Sequence, residues 1–244
     1  MSEAAVELES VSKAYGELTV LKALSLRLPV GRTTAIVGAS GSGKTTLLQL
    51  INGLERADAG SVRIFGEPVP NGKAVQAFRR RIGYSVQGAG LFPHLCVRDN
   101  VDLIARLDGW SEARIEARRG ALFAAMELTV DLGERFPHEL SGGQQQRVGL
   151  CRSMMLEPDM LLLDEPFSAI DPITRVEVYR LFEQVQDSTP VSTVLVTHDM
   201  REAVRLADDL VILRDGSVLQ HASAETVVQQ PADDYVRLLV NEQL

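Results

Sequence analysis

Cysteine is nearly missing from this sequence, and long apolar runs are missing altogether. The 244 residues hold two cysteines, Cys96 and Cys151, far apart and each alone. That spacing gives neither a disulfide framework nor a metal-ligand cluster, and a reducing compartment is the expectation. No uninterrupted apolar stretch reaches the roughly 18–20 residues of a membrane span, and no charged-then-apolar leader opens the sequence. The chain is therefore expected to be soluble by itself, with any membrane association coming through a partner. Positive charge is also in short supply: 25 Lys and Arg stand against 33 Asp and Glu, a net charge of -8. A global electrostatic grip on nucleic acid needs the opposite sign, so no nucleic-acid partner is expected. A phosphate ligand is still allowed, because backbone N–H groups make a local positive pocket whatever the overall charge. Internal repeats, low-complexity tracts and obvious flexible linkers are absent as well. What is present is 45% hydrophobic and 24% charged, which excludes a wholly disordered or fibrous chain. The length suits one compact domain, or one domain carrying a smaller appendage.

Along the chain, Val6 to Tyr15 alternates loosely and reads as a strand. Leu24 to Leu28 (L-S-L-R-L) reads as a half-buried strand bounded by Pro29 and Gly31. Thr34 to Val37 is a short β-prone run that ends in the glycine-rich GASGSGKT, Gly38 to Thr45. The TTLLQLINGL that follows has helical spacing and stops near Gly53. Ser61 to Phe65 and Ile82 to Gln87 read as further strands. From about 91 to 157 the texture turns helical: Val97 to Leu107 and Ser111 to Glu127 carry apolar residues at helical intervals, and β-branched residues thin out. This segment ends in LSGGQQQRVGLCRSMMLEP, where Ser141 and Gln144 have the form of a capping box. Val148, Leu150, Cys151, Met154 and Met155 supply the expected buried face, and Pro158 the stop. Strands resume at Met160 to Leu163 and Val191 to Val196. Val211 to Arg214 and Ser217 to Gln220 form an expected hairpin around Asp215-Gly216, and Ala222 to Val240 reads as mainly helical. The outline is an α/β sheet core with a helical insertion.

GASGSGKT matches G-x-x-x-x-G-K-[ST] in full, in the order strand, glycine loop, helix. In such a loop, Gly38, Ala39, Ser40, Gly41, Ser42 and Gly43 let consecutive N–H groups turn inward around α- and β-phosphates. Lys44 reaches the β/γ oxygens, Thr45 offers its hydroxyl to Mg²⁺, and the next helix, with Thr46 in its first turn, points its N-terminus at the anion. A dinucleotide fingerprint is excluded, because its third glycine would fall on Thr46 and Lys44 would have no role. The apolar LLLDE then narrows the chemistry. Asp164 at a strand end holds the Mg²⁺ shell through water, and Glu165 orients and deprotonates an attacking water. The competing reading is an acidic pair marking a sheet edge. No guanine-reading Asn/Thr-Lys-x-Asp run is present.

Around these residues the sequence resembles the ATP-binding cassette ATPases over essentially its whole length. LSGGQ, Leu140 to Gln144, matches that family's signature letter for letter, and GASGSGKT and LLLDEP flank it in the family's order. The resemblance implies a P-loop core with an inserted helical subdomain, approximately 91–157, and an N-terminal antiparallel β-subdomain, all within a single domain, 1–244. It also assigns roles. Tyr15 stacks on adenine, although a core-edge tyrosine is the plainer reading. Gln87 contacts Mg²⁺ and water, where an ordinary strand-ending hydrogen-bonding residue is the alternative. His198 contacts the γ-phosphate and the attacking water, leaving Glu165 as the base. SAID, Ser168 to Asp171, resembles the loop that links two ATP sites, though Asp171 before Pro172 also suits a helix cap. Arg147 reads as scaffold, and His94, His138 and His221 share no ligand spacing and read as surface or packing residues. In the family two subunits dimerise head to tail, each ATP lying between the phosphate loop of one chain and Ser141, Gly142, Gly143 and Gln144 of the other, with ATP and Mg²⁺ as ligands. A homodimer is the simplest expectation.

The resemblance extends to partners. The segment after Gln87, GAGLFPHLCV, is where the family receives a membrane subunit, and Leu91, Phe92 and Pro93 offer a small apolar surface there; Phe92 also suits an anchor for the helical insert. IGYSVQGAGLFPH, DEPFSAIDPITR and PADDYVRLLV are similar to importers of quaternary amines and related osmoprotectants, and polar amino-acid importers share much of the pattern. Gly88-Ala89-Gly90 departs from it. Integral permease subunits, a solute-binding protein and a place on the cytoplasmic face of the inner or plasma membrane follow from that likeness. A lipid-transport ATPase and a non-transport, ATP-gated interaction module are the alternatives.

Overall fold

The computed structural model describes residues 4–168, 170–188 and 191–244; Ala169, within the expected loop Ser168 to Asp171, lies outside the described residues. The chain divides into two compact units, Met1–Arg79 with Val191–Leu244, and Arg80–Pro190.

In the first unit, β1 (Ala4–Tyr15), β2 (Leu18–Pro29), β4 (Ala59–Ile64) and the two-residue β5 (Glu67–Pro68) form an antiparallel sheet in the order β2-β1-β4-β5. The alternation in β2 does what a half-buried strand requires: Leu24, Leu26 and Leu28 are buried, while Ser25 and Arg27 are exposed. The unit's second layer runs β10-β9-β3-β8. Here β3 (Thr33–Val37) lies parallel to β8 (Ser192–Thr197) and β9 (Asp209–Arg214), and β10 (Ser217–Ser223) pairs antiparallel with β9. Every residue of β3 and β8 is buried, as parallel strands covered on both faces demand. Helices α1 (Lys44–Ile51), α2 (Ala74–Arg80), α7 (Met200–Leu206), α8 (Ala224–Gln229) and α9 (Asp234–Gln243) complete the unit.

In the second unit, β6 (Ile82–Ser85) and β7 (Met160–Asp164) pair in parallel. They accompany α3 (Val97–Leu107), α4 (Glu112–Ala125), α5 (Gly142–Met154) and α6 (Pro172–Ser188), with short 3-10 turns at Val130–Glu134 and Pro137–Glu139. Val97, Val101 and Ala105 form one buried stripe of α3, four residues apart. The five residues expected to bury α5 and its end, Val148, Leu150, Cys151, Met154 and Met155, are all buried. Burial pushes the Cys151 thiol up to about 12, so it stays protonated and acts as a small apolar residue.

The structure differs from the sequence reading at element edges and at short elements. Ser111 is the N-cap of α4, its hydroxyl accepting from Arg114 N, and Glu127 lies beyond the helix at φ +49°. β6 ends at Ser85, not Gln87. In the tail expected to be mainly helical, Ala222 and Ser223 still belong to β10. The sequence reading passed over α2 and α7. α2 has seven residues and none of them is buried; Val75 and Phe78, half-buried and three apart, are too short a run to establish a period.

Candidate functional site

Strand register positions the candidate residues. In the first unit Val37 is the partner of Thr197 across the parallel β3–β8 pair, so Gly38 and His198 leave the sheet from neighbouring strand ends. In the second unit Ser85 pairs with Leu163 across β6–β7. Two residues further along the chain from each, beyond the strand ends, stand Gln87 and Glu165, and Gln87 Nε2 donates to Glu165 Oε2 at 3.1 Å. Both sets emerge at carboxyl strand ends, where α/β sheets place their ligands.

The phosphate loop is built as a tight nest. Gly41 and Gly43 stand at φ +80° and +102°, a left-handed conformation glycine adopts without a Cβ penalty. Gly38 needs to be glycine for another reason: a Cβ there would lie 2.2 Å from Leu213 O and 2.7 Å from Ser42 Oγ. Lys44 is 6% exposed, and its ammonium donates to Gly38 O at 2.7 Å and Ala39 O at 2.9 Å. Gly43 is the N-cap of α1 and offers no side-chain hydrogen bond to its first N–H groups. The Ser42 hydroxyl is buried without a partner. A glycine cradle, an uncapped helix start, a lysine and an unpaired hydroxyl fit a polyphosphate. Ser40, Gly41 and Thr45 are exposed and Thr46 is half-buried. Among the described residues no cluster of three or more His, Cys, Asp or Glu could hold a metal by itself. Thr45 in the first unit, and Gln87 and Asp164 in the second, carry oxygen donors of the kind a divalent cation takes.

Tyr15 ends β1 with 44% of its surface exposed, and the Lys13 ammonium lies 5.1 Å from its ring centroid. His198 is exposed and followed by Asp199, which caps α7 by accepting from Arg201 N at 2.9 Å. Asp199 with Glu202 three places later has the form of a cap signal in the sequence.

In the second unit Asp164 closes β7 and is 6% exposed. Burial, and then the charge of Asp164, push the Tyr84 hydroxyl up to about 12. Glu165 stands at φ +45°, a left-handed conformation that costs a non-glycine residue roughly 1–2 kcal/mol. The turn after it is held by Ser168, whose hydroxyl donates to Glu165 O at 3.0 Å, and by Phe167, fully buried edge-on against Tyr179.

The signature segment forms a reciprocal capping box: Ser141 Oγ accepts from Gln144 N at 3.2 Å, and Gln144 Oε1 accepts from Ser141 N at 2.9 Å. Capping uses a lone pair of Ser141 and leaves its O–H proton available to donate. Ser141 and Gly142 are exposed. Gly143 is buried, and a Cβ there would lie 2.3 Å from Thr174 Cγ2. Asp171 Oδ1 accepts from Ile173 N and Thr174 N at 3.1 and 3.0 Å, the helix-capping geometry of the plainer reading. Arg147 Nη1 donates to Met126 O at 3.2 Å, a scaffold contact. His94, His138 and His221 are exposed. Phe92 is 42% exposed, with the Arg152 guanidinium 5.6 Å from its ring centroid. The sequence alone assigned no role to Arg152 or Thr174, although they lie within LSGGQQQRVGLCRSMMLEP and DEPFSAIDPITR.

A family model described as ABC transporter matches residues 21–168, more than half of the chain. The chain belongs to the ABC transporter family. The glycine betaine uptake system ATP-binding protein YehX of Escherichia coli (strain K12) is 42% identical over 232 residues, 95% of this chain and 75% of that protein. The choline transport ATP-binding protein OpuBA of Bacillus subtilis (strain 168) is 39% identical, covering 97% of this chain but 62% of its own length. The Fe(3+) ions import ATP-binding protein FbpC 2 of Pectobacterium atrosepticum is 43% identical over 98% of this chain and 68% of that protein. Among solved structures, the ATP-binding cassette MJ0796, determined as a dimer in a post-hydrolysis state bound to ADP and Pi, is 30% identical. It superposes with a TM-score of 0.82 over 90% of this chain and 98% of that one. The fold is thus the P-loop ABC ATPase core with its helical subdomain and N-terminal β-subdomain, and the chain is an ATP-binding and ATP-hydrolysing ABC ATPase. Among the described residues no helix of the cassette is long and apolar enough to cross a membrane.

Proposed function

We propose that this cassette drives an importer of quaternary amines and related osmoprotectants. It would work as a homodimer attached through membrane-spanning permease subunits to the cytoplasmic face of the membrane, with a solute-binding protein delivering cargo. The cargo reading is supported by the glycine betaine and choline relatives, together with the segments IGYSVQGAGLFPH, DEPFSAIDPITR and PADDYVRLLV. The hydrolytic reading rests on one observation, the parallel register that sets the Gln87 amide 3.1 Å from the Glu165 carboxylate.

In this reading the N–H groups from Gly41 to Thr46 cradle the α- and β-phosphates of ATP, and Lys44 turns its charge to the β/γ oxygens. Tyr15 stacks on the adenine. Thr45, Gln87 and Asp164 would hold Mg²⁺, which would supply charge neutralisation when bound. Glu165 accepts a proton from the attacking water while Gln87 fixes one of its oxygens. The water oxygen bonds to the γ-phosphorus, and the bond to the oxygen bridging to ADP breaks. His198 orients the same water. The Ser141 proton and the N–H groups of Gly142 and Gly143 at the start of α5 in a second copy bind the γ-phosphate, so loss of that phosphate opens the dimer.

Copurification with its membrane partners, followed by ATPase assays in lipid vesicles, tests the proposal. Glycine betaine or choline is expected to stimulate turnover several-fold, and E165Q to lower it by about 100- to 10,000-fold with ATP binding retained. Stimulation by Fe(3+) alone transfers the cargo to a second reading, which the 43% identity to an iron-import protein supports. Recovery with ribosomes or DNA in place of a membrane protein overturns transport.

A further inference from the structure

The turn between Gln87 and Leu91 has a backbone its own residues explain only in part. Gly88, Ala89 and Gly90 stand at φ +75°, +60° and +55°. Gly88 and Gly90 adopt this conformation without a Cβ penalty, but the middle residue is an alanine, buried to 1% exposure. β6 has already ended at Ser85, so strand pairing does not hold the turn, and the one bond within it, Gly90 N–H to Gly88 O at 2.7 Å, spans only two residues. Two residues of α5 hold the rest. Arg152 donates through Nη1 to Gly90 O and through Nη2 to Ala89 O, each at 2.9 Å. Its partly buried guanidinium also lies over the Phe92 ring. One helical turn earlier Gly149 leaves the gap that Ala89 occupies: a Cβ at 149 would stand 3.3 Å from both Ala89 Cβ and Ala89 O. The clamped turn begins one residue after Gln87, whose amide reaches Glu165.

We infer that Arg152, with Gly149 as its support, is a positioning residue for hydrolysis: it fixes the turn from which Gln87 holds the Glu165 carboxylate. Arg152 touches no reacting atom. The inference rests on the proposed roles of Gln87 and Glu165. It gives α5 two tasks, since the helix that starts at the Ser141 cap also holds the Gln87 turn near its end. A guanidinium suits the task because its fork serves two carbonyls at once, which a lysine ammonium on a flexible stem does not reproduce.

The test is steady-state ATP hydrolysis by the full chain. R152Q is expected to lower kcat about ten- to a hundredfold while the KM for ATP moves less than about twofold, since the phosphate loop and Tyr15 are untouched. R152K should recover only part of the loss. A double-mutant cycle separates positioning from general damage. Once Q87A has removed the amide, R152Q should cost less than about a further twofold, whereas an independent structural defect would multiply the two losses. Should R152Q fail to fold, judged by the melting profile of the single tryptophan, Trp110, G149A disturbs the same turn and enters the same cycle. A kcat near that of the parent, a parallel rise in KM, or multiplicative losses overturn the inference. E165Q keeps the two ideas apart: if it retains full turnover the hydrolytic pair itself is wrong, and if only E165Q is impaired the clamp alone is wrong.

Discussion

Two turns leave parallel strands in this molecule, and they are closed in opposite ways. The phosphate loop closes on itself: Lys44 donates to carbonyls five and six residues earlier, and the left-handed positions fall on Gly41 and Gly43. The turn after Gln87 has one short bond of its own, Gly90 N–H to Gly88 O, and is otherwise closed by Arg152, 62 and 63 residues from the carbonyls it binds, with one of its left-handed positions on an alanine. Local closure leaves its record in a short window of residue types. Remote closure leaves none, and only the folded helix supplies the missing partner. The first arrangement makes a loop that needs only its own letters and a floor. The second makes a turn whose conformation depends on a distant helix, and so links one part of the second unit to another.

The comparison breaks most easily at the floor of the phosphate loop. A Cβ at Gly38 would lie 2.2 Å from a backbone oxygen, Leu213 O, which cannot swing away as a side chain can. G38A is therefore expected to lose about 1–3 kcal/mol to overpacking. If the loop opens to relieve it, ATP affinity falls about 5- to 150-fold, at 1.4 kcal/mol per decade. G41A meets open space and suffers only the left-handed strain of φ +80°, about 1–2 kcal/mol. Nucleotide titration of both variants checks the order. An equal loss would mean that conformation alone, with no contribution from the floor, governs this loop.

The same contrast explains what the sequence revealed. GASGSGKT, LSGGQ and LLLDE are contiguous, and each encodes a local geometry: a nest, a capping box, a buried strand end. The Ser141–Gln144 box formed with both of its bonds. The meeting of Gln87 with Glu165 was not legible, because it depends on the β6–β7 register, set by residues 78 positions apart. Thr174 and Arg152 lie beside the motifs and take no part in their local geometry, yet each explains why a particular glycine or turn near the site has its form. α7 was missed although Asp199 announced it, because its seven residues are too few to show a period.

Gly143 sharpens the comparison, since a signature glycine invites a ligand-based explanation while the structure supplies an intrachain one. G143A would place its methyl 2.3 Å from Thr174 Cγ2. It should lower stability by about 1–3 kcal/mol by overpacking. T174S removes that methyl and keeps the hydroxyl, and the next contacts, at 3.7 and 3.8 Å, are ordinary. The double variant should return to within about 0.5 kcal/mol of the parent in urea unfolding. Turnover still missing from the rescued protein then measures what Gly143 contributes towards ligand. If T174S restores no stability, the packing account of this glycine fails.

The smallest expected effect lies at Ala89. Glycine there would relieve about 1–2 kcal/mol of left-handed strain. Against that, A89G removes a buried methyl worth about 0.8 kcal/mol and frees the unfolded chain by about 0.4–1 kcal/mol. The terms nearly cancel, so A89G should change stability by less than about 0.5 kcal/mol, with kcat within twofold of the parent. Near-neutrality is the informative result, because it means the residue at 89 does not determine the turn and the carbonyls gripped by Arg152 do. A gain beyond about 1 kcal/mol would show strain that the clamp leaves uncompensated. A loss of that size would shift the closure of the turn from the guanidinium to the methyl seated against Gly149.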